Sequence, residues 1–448
     1  MSIQADSWIM KEVELVVAGG GPAGVAAAET AARKGLSVLL IEKEGFLGGQ
    51  AVGGLSATIC GLYLTNEKWT HENGPVQIVY GFAERFRQKM IEKGGLTQPQ
   101  LYGNTYVDAH EPFVWKCVAE EMLRDAGAEI LYHSIVCDAK CEEGNISQVT
   151  ILTAEGYYTI KAKYFIDATG DAALTAAAGG AFRYGIEGTV QNPSFIFKLC
   201  NVDEEKFWRY FGENTICHDA FSDKIREAES VFHVSLPRKK IWTFHCVHPG
   251  EIYVNATSVS KPDGSSINCI HAEEITYAET MGRKQALDYA RMFQAFIPGC
   301  ENAYIGEHAS HIGVRQTRSV VCKERLTNSD VEQCIKRPDG IAKSSWPIEL
   351  HRGEAPILVW LTNNYYEIPY DAMVPKNFKN LLVAGRCIDA EHQALASSRV
   401  TAQCFAMGHA AGIAAKIAIE KEIGFDFIDG VELRQALNQD GACLDKEN

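Results

Sequence analysis

The sequence predicts an α/β protein, a parallel sheet with flanking helices that is interrupted by a mixed or antiparallel α+β region and completed at the far end of the chain. Three observations predict it. Residues 13–18, VELVVA, form an apolar, β-branched run that meets GGGPAG and then the alanine-rich VAAAETAARKG. A second strand-to-turn junction, LLVAGR at 381–386, stands far downstream. Between about 186 and 370 the pattern changes to runs rich in aromatic and β-branched residues, such as SFIFKLCNV, KIWTFHCVH and EIYVNATSV. The expected division is 11–185 and 370–425 for the parallel-sheet domain, 186–369 for the inserted one, and 426–448 for a C-terminal tail.

The first junction has the order strand, glycine turn, helix that a Rossmann-like dinucleotide site requires. Gly19 permits the tight turn, Gly21 lets backbone N–H groups approach a pyrophosphate, and Gly24 lets helix and strand pack closely. Pro22 and Ala23 belong to the turn, and the N-terminus of the helix that follows offers unpaired donors and the positive end of a dipole. The run LSVLLIE then makes a second strand ending at Glu42, placed to accept the ribose hydroxyls of an adenosine. This spacing suits FAD and NAD equally, because both carry the same adenosine diphosphate.

Length and composition bound the rest. A chain of 448 residues suits two domains. With 57 acidic and 43 basic residues, a net charge of −14 and no long Lys/Arg run, nucleic acid is not an expected partner. No window reaches 18 uninterrupted apolar residues, so no membrane span is expected, and the opening MSIQADSWIMKEVELVV has no secretion signal, so a cytoplasmic location is expected. The 14 cysteines include no CxxC pair and read as reduced thiols.

After the second strand, EGFLGGQAVGGLSATICGLY holds more glycine than a simple βαβ unit needs, which fits a chain lying against an extended ligand. Further on, TILTAEGYYTIKAKYFIDATGD reads as a hairpin and an apolar strand running into Ala168-Thr169-Gly170-Asp171. Together with HIGVRQTR, SWPIELH and the closing run YYEIPYDAMVPKNFKNLLVAGRCIDAEHQALASSRVTAQCFAMGHAAGIAA, these segments resemble the glutathione-reductase-like class of FAD proteins. The nearest likeness is to the FAD-dependent oxidoreductase family related to fumarate reductase flavoproteins. That resemblance implies a flavin domain interrupted by a substrate domain, with the chain returning to complete the flavin site.

The two junctions then serve one ligand. The residues expected to hold FAD are Gly19, Gly21, Pro22, Ala23 and Gly24 at the first turn; Glu42 and Lys43; Gly48, Gly49 and Gln50; Val136; Ala168, Thr169 and Gly170; Gly385 and Arg386; and Ser398 and Val400. N–H groups near Ser398 and Val400, opening an Ala- and Gly-rich helix, are placed to stabilise negative charge at the flavin pyrimidine.

Candidates for substrate chemistry are His392 as general base or donor, Arg315 to orient an anionic or carbonyl substrate, and His351 and Tyr366 from segments leading back to the flavin domain. Cys60 reads as a small buried residue near the flavin. FHCVH at 244–248 places His245 and Cys246 on opposite strand faces, so no metal is expected. The expected function is FAD-dependent hydride transfer with a small organic substrate and oxygen or another external acceptor. The alternatives are a flavin monooxygenase or halogenase using NAD(P)H, and a non-catalytic binding protein that keeps the fold. The chain has neither a GDxxH-type closing motif nor a WxWxIP.

Overall fold

The computed structural model describes residues 8–67, 74–351 and 353–446. Its main sheet has a parallel part in the order Glu129–Leu131, Val38–Ile41, Trp8–Ala18, Gly156–Asp167, with Leu381–Val383 pairing in parallel on the last of these. The strands Asn145–Thr153 and Ile135–Glu142 extend the other half of Gly156–Asp167 as the expected antiparallel hairpin. Register brings Ile41 beside Ala18, Ala18 beside Asp167, and Asp167 beside Val383. The residues that follow these four strand ends, Glu42, Gly19, Ala168 and Ala384, therefore emerge along one edge, where open α/β sheets bind ligands.

The helix Pro22–Arg33 packs behind this edge, and the long helix Thr401–Lys421 packs on it. Close approach needs small residues. A Cβ on Gly24 would lie 1.8 Å from the Gly19 carbonyl oxygen, and one on Gly408 would lie 2.1 Å from the Ala23 carbonyl oxygen. Thr401–Lys421 is long and apolar enough to cross a membrane by length and composition, yet 83% of its most apolar window is buried inside the protein, so it reads as a core helix.

The inserted region is built on an antiparallel sheet in the order Trp242–His245, Glu251–Asn255, Phe197–Cys200, Tyr304–His308, from runs rich in aromatic and β-branched residues. The long helix Ala272–Phe296 covers it through Ala278, Ala286, Tyr289 and Phe293. Helices Glu204–Phe211 and Asp219–Phe232 come from a segment whose sequence suggests a lid or local insertion. Phe207, Phe211, Phe221 and Ile225 are instead buried in the same core, which fixes them as part of the body.

Packing runs across the boundaries expected at 186, 370 and 426. Tyr102, Val107 and Ala109 belong to the core of the inserted region, whereas Val320, Ile341, Ile348, Tyr366 and Ile368 join the core under the parallel sheet. Residues 430–439, expected as tail, form a helix whose Leu433 and Leu437 are buried there too. Periodicity in a sequence marks an element and its apolar face, and only tertiary packing decides which core that face meets.

Candidate functional site

A cleft of roughly 1090 Å³, counting its open mouth, runs along the carboxyl edge of the parallel strands. That volume accepts a large extended ligand. Gly19, Gly21, Pro22 and Ala23 form one wall, with Glu42, Lys43, Gly49 and Gln50 beside them, then Ala168, Thr169 and Gly170, then Gly385 and Arg386, and finally Val400 at the far end. Both glycine junctions thus face a single cavity.

The first turn is shaped for a phosphate-rich ligand. Gly21 caps the helix Pro22–Arg33 in an extended conformation with no side chain on the free N–H groups of the first turn. A Cβ on Gly49 would come within 3.0 Å of the Gly21 Cα, so a side chain there would fill the cradle. Gly385 has φ +85 and closes the other side, where a Cβ would lie 3.2 Å from that of Ala23. The glycine cradle, the helix N-terminus without a side-chain cap and the acid at the second strand's end fit a dinucleotide pyrophosphate and ribose.

Glu42 braces the turn from below. Its carboxylate accepts from the Gly20 N–H at 2.5 Å and from the Glu44 N–H at 2.9 Å. Burial raises its pKa, and those two N–H donors oppose the rise. Glu42→Ala removes this brace as well as the ribose acceptor; the expected result is a protein that folds but loses most of its FAD during gel filtration, read from the flavin-to-protein absorbance ratio.

Arg386 is held by Asp171, with a 2.7 Å ion pair, and by Thr317, whose Oγ1 accepts at 2.9 Å. Thr317 in turn donates to Asp171 at 2.7 Å. Burial opposes the Asp171 charge, but Arg386 and Thr317 outweigh it and leave the carboxyl below its ordinary range. The guanidinium lies across the second glycine turn, since a Cβ on Gly170 would meet Arg386 Nη2 at 2.9 Å.

Gly24, Gly48, Val136 and Ser398 do not line the cleft. Gly24 serves helix–strand packing, and the Gly48 N–H donates to the Gly20 carbonyl at 2.8 Å, supporting the first turn from behind. Val136 pairs with Ile151 in the hairpin, and Ser398 is fully buried inside the helix His392–Ser398. Its neighbour Val400 and the first turn of Thr401–Lys421 reach the cleft instead.

None of the four candidates for substrate chemistry lines the cleft. Tyr366 is buried and hydrogen-bonds to Ser397 at 3.0 Å, a packing role. His392 opens the short helix and its carbonyl accepts from Gln191. Arg315 and His351, by contrast, join a buried charged cluster at the far end. There His351 Nε2 stands 2.8 Å from Glu349 Oε1, and Arg315 donates to the Asn192 carbonyl at 3.1 Å. Arg399, on the cleft wall, donates to Gln191 at 3.0 Å and interacts electrostatically with Glu349. Cys60 also lines the cleft, but burial pushes its thiol up to about 12, which keeps it protonated.

Several lining residues carry no local sequence signature. Arg399 and His311 lie inside quoted motifs, ASSRV and HIGVRQTR, and Asp171 ends ATGD, so the signal was present without a spacing rule to single them out. Among the described residues no group of three metal-ligating side chains forms.

Burial opposes the Glu349 charge, but His351, Arg399 and Arg315 hold its pKa down to about 2; burial and Arg315 hold His351 well below its ordinary 6.5. Both groups are depressed in the folded chain, so the unfolded chain binds protons first on acidification. Stability present at neutral pH is expected to fall as pH drops below 6.5, the ordinary His351 value, and again from the ordinary Glu349 value of 4.5 down toward about 2. Urea unfolding at stepped pH checks this; a midpoint unchanged between neutral pH and pH about 5 would contradict the His351 contribution.

The fold and the cleft define an FAD-binding α/β protein. Residues 14–437 match the family described as FAD dependent oxidoreductase, and the chain belongs to that family; its cofactor is FAD. It is 27% identical over 214 residues to a thiamine thiazole synthase of Methanococcus vannielii, a match covering 46% of this chain and 70% of the relative. It is 28% identical over 221 residues to digeranylgeranylglycerophospholipid reductase 1 of Methanosphaera stadtmanae, covering 46% of this chain and 50% of that one. Among solved structures, p-nitrophenol 4-monooxygenase PnpA from Pseudomonas putida DLL-E4 aligns with TM-score 0.50 and 12% identity over 98% of this chain and 91% of its own. The flavin-dependent brominase Bmp2 aligns with TM-score 0.50 and 13% identity, over 96% and 83%. At these identities the two structures share the fold.

Proposed function

We propose that this protein is a dehydrogenase- or oxidase-type FAD enzyme that moves a hydride between a small organic substrate and flavin N5, with oxygen or another external acceptor completing the cycle. Bound FAD supplies the two-electron chemistry. The chain's own residues hold the cofactor, exclude water and handle the proton that accompanies hydride removal from a C–H bearing a hydroxyl or amine.

The observation that carries this reading is the buried Glu349–His351 pair, coupled to the cleft wall through Arg399. Cys60 and Arg399 line the cleft and both feel the Glu349 charge. Glu349 fixes one imidazole nitrogen at 2.8 Å, and the other, Nδ1, is buried with no hydrogen-bond partner among the described residues. A neutral imidazole oriented by a carboxylate through one nitrogen offers the other as a proton acceptor. The N-terminus of Thr401–Lys421, reaching the cleft through Val400 and Thr401, directs its dipole toward any negative charge that develops there. The likeness to fumarate reductase flavoproteins belongs to the same reading and rests on the motifs quoted above.

Anaerobic bleaching of the yellow protein by a panel of small hydroxy and amino compounds tests it. Bleaching by one such compound without nicotinamide supports the proposal; bleaching by NAD(P)H alone would instead favour a monooxygenase or halogenase. A colourless protein that fails reconstitution would favour a binding role.

A further inference from the structure

Resting on the oxidoreductase reading above, we infer that a buried arginine cluster beside the cofactor cleft binds the carboxylate of an organic acid substrate, with Arg238 as its principal ligand. Arg238 is 0% exposed, and alone among the described arginines it has all three guanidinium nitrogens buried without a hydrogen-bond partner. Its backbone is fixed on both sides, because the Tyr289 hydroxyl accepts from the Arg238 N–H at 2.8 Å and donates to the Arg238 carbonyl at 2.7 Å. The side chain is thus presented by a rigid support with its five donors unused. An unpaired buried charge is among the costliest features a fold can carry, and such features persist where function requires them.

The surroundings lack the anion that would satisfy it. Arg238, Arg315 and Arg399 act on one another or on a shared partner, and Glu349 is the carboxylate that all three feel. His351 is held neutral, so three positive charges face one negative. The nearest wall is flat and aromatic: the guanidinium stands 5.5 Å over the Trp242 ring, and the His351 ring lies 5.7 Å from that ring. The indole N–H of Trp242 is also unpartnered. A planar fork of donors against a flat wall matches a carboxylate, which accepts two parallel N–H bonds. Arg399 belongs both to this cluster and to the cleft wall, which links the buried arginines to the cofactor cleft, and the open His351 nitrogen belongs to the same cluster.

Titration of the FAD-loaded protein with benzoate and succinate, and with their neutral amides, tests the inference by thermal shift and by the flavin absorption band. Acids are expected to raise the melting temperature and perturb the band while benzamide and succinamide do neither. In Arg238→Met the benzoate Kd is expected to rise about thirtyfold or more, with no loss of melting temperature in the ligand-free protein, since an uncompensated charge has been removed. Amides binding as well as acids, inorganic phosphate binding in place of the acids, or an unchanged benzoate Kd in the variant would each overturn it. If Arg238→Met does not fold, the acid-against-amide comparison on the unmodified protein decides. These readouts need no turnover: acid binding with no bleaching compound refutes hydride transfer alone, and bleaching with no acid binding refutes the carboxylate site alone.

Discussion

Gly24→Val is expected to give a colourless protein with markedly lowered stability. The first Cβ atom alone would sit 1.8 Å from the Gly19 carbonyl oxygen and 3.3 Å from the Ala168 side chain, so the helix Pro22–Arg33 must lift off the strand ends. Neither contact is the tip of a flexible side chain that can swing away. Overpacking of a close-packed site costs about 1–3 kcal/mol when a side chain has room to adjust, and a clash against backbone lies at or beyond the upper end. The same displacement moves Gly21 and the free N–H groups of the helix N-terminus out of the cleft wall. Visible absorbance per protein and a urea melt check both parts; a yellow variant with an unchanged midpoint would mean that the turn tolerates far more than its geometry allows.

Glu349→Gln is expected to cost about 3–5 kcal/mol of folding stability, the range for breaking a buried charge pair by removing one partner. The change keeps shape and volume nearly constant, so the loss reads out charge. With the charge gone, Arg315, Arg399 and Arg238 face one another with no anion, while the amide oxygen still accepts from the His351 N–H. Chemical denaturation at neutral pH measures the effect. A change below about 1 kcal/mol, the level of an exposed pair, would show that the cluster is solvated and that no buried excess of positive charge exists there.

Much of the cofactor cleft was readable because its chemistry is local. A strand that must turn sharply, expose N–H groups and start a helix needs glycine at fixed spacing, and VELVVAGGGPAG supplies it within a dozen positions. LLVAGR and YFIDATGD obey the same constraint, and their strands lie side by side, so Gly385, Arg386, Ala168, Thr169 and Gly170 all reach the cavity. The Ala- and Gly-rich pattern of 396–417 announced a helix pressed against backbone; Gly408 over Ala23 realises it, within a helix that starts at Thr401, after the separate helix His392–Ser398.

Reasoning about single residues served less well where a role depends on distant partners. His392 and Tyr366 sit in segments that lead to the flavin domain, yet proximity in sequence to Arg386 does not bring either into the cleft wall. Ser398 is one residue from Arg399 on the cleft wall, and helix geometry turned it away, whereas Val136 lies in a hairpin strand with no neighbour in the cleft.

By itself, then, the sequence determined two glycine turns of the kind that suits a dinucleotide, because backbone conformation is dictated by neighbours a few residues away. Only the tertiary structure decided that Arg238, Arg315, Glu349, His351 and Arg399 would share one dry interior. Charges act through space with no period along the chain, so nothing in their spacing marks them until folding removes the water between them.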